Sequence, residues 1–336
     1  MKKWSVRLLV RWQTVGLILP VLLIAASWMS AAELVRTPGH VAAHVDGVQI
    51  YDFEVEHVVQ QGVGERPIDP AVKPRLMAAA LNELVDQQLV LKYLKSKGVH
   101  ASEQDVQHAL ATEEDRLNQK GADLDQFLKQ ANLDRDAYRR QLTWRLSWRR
   151  FTDKMVSDEN LARYFAQHAT EFDGTQFRVA QILWSPPPSD DAGKWDELVA
   201  EAKQVREEIV NGRLEFSEAV QRYSKSPSGK KGGEIGWIER KSPMPESFSA
   251  PAFELKTGEI SHPVVSSFGV HLIKCIEVKS GRRNWQDARD ELQRAATQHL
   301  FDWAANRERA TAQIRLTGAV PYFREGTDEL VMPKTE

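Results

Sequence analysis

The spacing of apolar residues along this chain changes character between Phe165 and Gln176, and that change separates two kinds of material. From Leu76 to Phe165 apolar side chains return every three or four residues: Leu76, Ala80, Leu84, Leu91 and Leu94, then Val106, Leu110 and Leu117, then Tyr138, Leu142 and Leu146, then Leu161 and Phe165. This is the period of helices that bury one face. From Gln176 onward, short runs rich in β-branched and aromatic residues appear: "QFRVAQILW" (Gln176 to Trp184), "EIGWI" (Glu234 to Ile238) and "HLIKCIEV" (His271 to Val278). A helix with Leu198, Ala202, Val205 and Ile209 on one face lies between the first two. The reading is an α-helical region followed by a compact α+β unit, and 336 residues suffice for two cores.

Local signals bound these elements. Asp46-Gly47, between Val41–Val45 and Val48–Ile50, suits a tight hairpin turn. Lys97-Gly98 ends a helix, and Ser102 with Asp105 three residues on opens the next. Further starts fall at Asp134 and Ser157. The stretch from Asn284 to Leu316 reads as a closing helix with Trp285, Leu292, Ala296 and Trp303 on one side.

The N-terminus differs from both regions. Lys2, Lys3, Arg7 and Arg11 precede an uncharged apolar stretch from Val15 to Ala32, with small residues at Ser30 and Ala32. That order is an export element, either a cleaved signal or a retained membrane anchor, and both place residues 33 onward outside the cytoplasm. A net charge of −2 gives no reason to expect a nucleic-acid partner. The local basic run "RRQLTWRLSWRR" (Arg139 to Arg150) is compatible with a solvated helix face over an apolar stripe, or with an anionic partner or membrane surface. The single cysteine, Cys275, excludes an intrachain disulfide, and no Cys/His spacing suits zinc. "SGKKGGEIG" has neither the Walker nor the dinucleotide glycine pattern, and a strand rather than a helix follows it. No metal, nucleotide or other cofactor is expected.

The order "GGEIGW", "FELKTGEISHPV" and "FGVHLIK" in residues 177 to 279 resembles the parvulin family of peptidyl-prolyl isomerases. The hairpin and helices before it, with the closing helix after it, resemble SurA/PpiC-type extracytoplasmic folding factors. The resemblance implies a small antiparallel sheet flanked by helices, attached to an α-helical chaperone module. It divides the chain into an export element (1–32), a chaperone domain (33–172), a parvulin domain (173–280) and a C-terminal segment returning to the chaperone module (281–336).

The same resemblance assigns a site. Met244 and Phe248 would form a proline pocket with Ile235 and Phe268 as further wall, and His271 would stand beside it. Two positions depart from the family: Gln181 stands where many active parvulins have histidine, and Ser226 where cysteine or aspartate is usual. Both still donate and accept hydrogen bonds, so a polar network of Gln181, Ser226 and His271 persists with fewer ionisable members. The expectation is an isomerase and chaperone for unfolded, proline-containing exported polypeptides. The alternative is a peptide-binding chaperone that accelerates nothing.

Overall fold

The computed structural model describes residues 39–64, 66–187, 192–327 and 329–333, so the export element at residues 1–32 lies outside the described residues. Among the described residues no helix is long and apolar enough to cross a membrane. The chain divides into two compact units, one formed by residues 1–157 with 294–336 and the other by residues 158–293. The fold is α+β.

The first unit opens with the hairpin β1 (Val41–Val45) and β2 (Val48–Tyr51), whose turn residues Asp46 and Gly47 both take positive φ. Five helices follow: α1 (Asp52–Val63), α2 (Lys73–Ser96), α3 (Glu103–Asn118), α4 (Leu124–Gln130) and α5 (Arg135–Met155). Their starts carry the caps read from sequence. The Ser102 side chain accepts from the Asp105 amide and the Asp105 carboxylate accepts from the Ser102 amide, while Asp134 accepts from Ala137. Helix α2 forms the spine, with Leu81, Leu89 and Leu94 fully buried. The basic run on α5 is largely consumed inside this unit. Arg140 pairs with buried Glu54 at 2.9 Å, Arg150 with Asp105 at 2.6 Å, and Arg139 with Glu103. Leu142 and Trp148 meanwhile face the core.

The second unit begins with α6 (Asp158–Gln167) and α7 (Ala169–Phe172) and is built on β3 (Gln176–Trp184). Helices α8 (Ala192–Val210) and α9 (Phe216–Tyr223) lead through a 3-10 turn at Pro227–Lys231 to β4 (Glu234–Glu239). Then come α10 (Glu246–Phe253), β5 (Val264–Ser266) and β6 (Gly269–Lys279). The sheet is antiparallel in the order β4-β3-β6-β5. One face, through Ala180, Ile182, Trp184, Val270 and Leu272, packs on α8 and α9. The opposite face, through Phe177, Val179, Ile273 and Cys275, packs on α10.

Helix α11 (Arg289–Arg309) then carries the chain back to the first unit. Leu292 is fully buried, whereas the buried side of its later turns is Phe301, Ala304 and Ala305. Trp303, expected on the apolar side, is 43 % exposed and rests edge-on against Tyr93. The expected helix also stops short. Ile314–Leu316 forms β7, which pairs with β1 and completes a three-stranded sheet of order β2-β1-β7. The free edge of β1 takes these residues into a ladder that another helical turn would forgo, and Ile314 and Leu316 pack on the first unit's core. A short ribbon of β8 (Tyr322–Phe323) and β9 (Leu330–Val331) follows.

Candidate active site

The candidate site lies on the α10 face of the second sheet, and strand alternation explains most of its membership. On β3, Phe177, Val179 and Gln181 point to that face; on β6, His271, Ile273 and Cys275 do. Because Leu183 pairs with His271, and Gln181 with Ile273, Gln181 and His271 are diagonal neighbours.

Ile235 reaches the same face by an irregularity. Val179 pairs with Gly236 and Ala180 with Glu234, leaving Ile235 as the extra residue of a bulge. Regular alternation would place Ile235 opposite Ile238, yet both join one apolar cluster. That cluster also holds Phe248, fully buried on α10, and Met244, partly buried just before the helix. Thus Ile235, Met244 and Phe248, all named from sequence, share one apolar cluster. Phe268 stands apart: it sits on the turn between β5 and β6, 56 % exposed and outside the cluster.

The polar residues form a connected set. His271 is 2 % exposed; its Nδ1 lies 2.8 Å from Gln181 Oε1 and its Nε2 2.6 Å from Ser266 Oγ. Gln181 Nε2 donates to Ser226 Oγ at 3.1 Å, and Ser226 Oγ lies 2.9 Å from Ser228 Oγ. The Phe248 ring meets the imidazole edge-on, with centroids 5.3 Å apart. Burial among such groups disfavours the imidazolium, and the His271 pKa falls to about 4. The ring is therefore neutral at physiological pH.

Backbone contacts hold these side chains in place. The Gln181 amide donates to Gly233 O at 2.9 Å, and Gly233 has φ 82° with room for no side chain, since a Cβ would stand 2.4 Å from Gln181 O. Lys225 N donates to Leu183 O at 2.7 Å, tying the segment before Ser226 to β3. Ser226 itself caps the 3-10 turn and accepts from the Ser228 amide. Sequence reading did not reach Ser228 or Ser266. The motif "SSFGVH" held the only available signal for Ser266, and nothing in it separates Ser266 from Ser267.

A separate hollow of about 480 Å³ lies in the first unit, between α1, the start of α2 and the end of α4. Val59, Ile68 and Met77 give it apolar walls, with Gln60, Gln61 and Gln130 among its polar ones.

Comparison with known proteins locates two families in the chain. Residues 182–277 match the PPIC-type PPIASE domain, and residues 5–152 match the SurA-like N-terminal domain. The foldase protein PrsA of Bacillus subtilis (strain 168) is 38 % identical over 108 residues, which is 32 % of this chain and 36 % of that protein. The chaperone SurA of Aromatoleum aromaticum is 26 % identical over 266 residues, covering 72 % of this chain and 57 % of that protein. This chain thus spans well under two thirds of either relative's length. Among solved structures, the peptidylprolyl isomerase PrsA of Bacillus anthracis aligns over 68 % of this chain and 94 % of its own, at 20 % identity and a TM-score of 0.35. By these matches the chain is similar to a SurA-like N-terminal domain over residues 5–152 and to a PPIC-type PPIASE domain over residues 182–277.

Proposed function

We propose that the protein is a peptidyl-prolyl cis-trans isomerase and folding chaperone for extended, proline-containing polypeptides outside the cytoplasm. The observation that carries this reading is one sheet face on which an apolar cluster of Ile235, Met244 and Phe248 adjoins the buried, neutral network of His271, Gln181 and Ser226. The family matches of both units agree with it. The extracytoplasmic placement rests on the export pattern at Val15–Ala32, which either anchors the chain in a membrane or is removed.

Such a face suits the reaction. An X-Pro bond turns over a barrier of about 18–20 kcal/mol set by amide resonance, and no bond breaks. The twisted amide has less charge separation than the planar one. An apolar seat that strips water from the planar, more polar form therefore favours the twisted state. Met244 and Ile235 supply that seat over the Phe248 floor, and the network supplies hydrogen-bond donors beside it. A thousandfold acceleration needs about 4 kcal/mol, within reach of desolvation and a few hydrogen bonds.

A second reading is favoured by Gln181 and Ser226: the network has no member that titrates near neutrality, and the fold holds peptide without accelerating isomerisation. Protease-free isomerisation kinetics on a series of X-Pro peptides separate the two. The full chain should accelerate exchange, and Met244→Ala and His271→Ala should each lose most of the acceleration. Binding of the same peptides with no acceleration anywhere in the series would leave the non-catalytic reading standing.

A further inference from the structure

We propose that Arg240 is a positioning residue for the proline seat: its guanidinium clamps the loop that carries Met244, closing that loop onto the first turn of α10 and tying it to α7. The inference deepens the isomerase reading of this face and rests on it for its bearing on catalysis.

The loop needs a clamp because its own backbone supplies few donors. Between the end of β4 at Glu239 and the start of α10 at Glu246, Met244 stands between Pro243 and Pro245, neither of which has an N–H to donate. The entry to the loop is fixed where Glu239 N donates to Ser242 O at 2.7 Å. Its exit is fixed where Pro245 O accepts from the amides of Phe248 and Ser249. Arg240 joins the two ends. Its Nη1 and Nη2 donate to the two carboxylate oxygens of Glu246, each at 2.6 Å, and Nη1 also reaches Ser249 Oγ at 3.3 Å. Such a fork fixes an angle as well as a distance, which a single ammonium does not. Met244 and Phe248 lie two residues to either side of Glu246, so a shift at that carboxylate moves both walls of the seat.

Burial decides that Arg240, rather than its neighbour, holds the loop. The Arg240 side chain is 13 % exposed, and Ser249 is fully buried. Burial opposes the guanidinium charge, yet the Glu246 bonds and the carboxylates of Glu171 and Glu254 outweigh it, so the group holds its proton more tightly than an ordinary arginine. Lys241 is also paired, with Glu291 at 3.2 Å, but its side chain is 39 % exposed, where an ion pair contributes little. Arg240 Nε lies 3.7 Å from Glu171 Oε2 on α7. That helix falls outside residues 182–277, so the seat takes part of its support from beyond the matched domain.

The test uses the full chain with ¹³C-labelled methionine and isoleucine methyl groups, with Met244 identified by its absence from a Met244→Leu spectrum. Arg240→Gln should move the Met244 methyl signal in the free protein, while the signals of Ile182 and Ile209, on the opposite side of the sheet, stay in place. In the same variant kcat/KM on X-Pro peptides should fall by between about tenfold and a hundredfold, the effect of a seat displaced by an ångström or less. Arg240→Lys keeps the charge without the fork and should fall between the wild type and Arg240→Gln in both readouts. A Met244 signal that stays in place overturns the proposal, as does a displaced signal with an unchanged rate. Isoleucine signals that move as far as that of Met244 also overturn it, because Arg240 would then support the whole unit rather than the seat. Should Arg240→Gln fail to fold, Glu246→Gln, which removes the charge from the other half of the fork, carries the same comparison. The spectra locate the seat whether or not the chain isomerises peptides, so failure of the isomerase reading is seen separately, as absence of acceleration by the wild type.

Discussion

At the scale of single residues, the buried histidine ties the site to stability. Its folded pKa of about 4 lies below the ordinary value of 6.5, so the unfolded chain binds a proton that the folded chain refuses. The contribution is fully present above about pH 6.5 and is lost as pH falls through about 4, for a total of about 3 kcal/mol. Chemical denaturation of the wild type and His271→Gln at a series of pH values isolates this slope from that of the other histidines. The wild type should lose stability relative to the variant as pH is lowered from 6.5 to 4.5; parallel curves would remove His271 as the cause. Gln181, Ser226 and His271 were named from motif positions, and in the structure hydrogen bonds join them. Ser266 was not, because hydrogen-bond geometry rather than residue type distinguishes it from Ser267. Ile235 was named through the resemblance alone, since the bulge that turns it follows from a register no local pattern states.

At the scale of elements, caps and turns were readable because their chemistry is local. Ser102, Asp134 and the Asp46-Gly47 pair each satisfy backbone groups within a few residues. Strand β3 likewise covers the run Gln176 to Trp184. What could not be read was pairing between distant segments. Three residues at 314–316 look like the end of a helix until β1, near the other end of the described chain, offers an edge. Helix α11 is the element whose packing follows least from its own pattern. Phe301 lies edge-on to Trp144 and Trp148, 5.7 Å from each, in the core that also holds Leu81 and Leu89. Phe301→Ala should cost about 3–5 kcal/mol in the first unit. In native-state hydrogen exchange, amides of α2 and α5 should lose protection while those of β3 and β6 keep theirs. Equal loss in both units would show that α11 does not belong energetically to the first.

At the scale of the whole molecule, two units with separate cores allow the two proposed activities to be tested apart. The first unit is completed by chain segments on either side of the second in sequence, so the second behaves as an insertion whose internal changes need not disturb its host. Under the proposed function, a first unit that retains an extended client would raise the local concentration of X-Pro bonds for the sheet face of the second, without any new contact in the site. On this account, holding a client and isomerising it draw on different residues. Suppression of aggregation of a denatured client, followed by light scattering at stoichiometric amounts, should be the same for the full chain and for His271→Ala. Isomerisation of X-Pro peptides should fall in the variant alone. Loss of both activities together in His271→Ala would mean that the parvulin-like face itself holds the client, and the division of labour between the units would have to be given up.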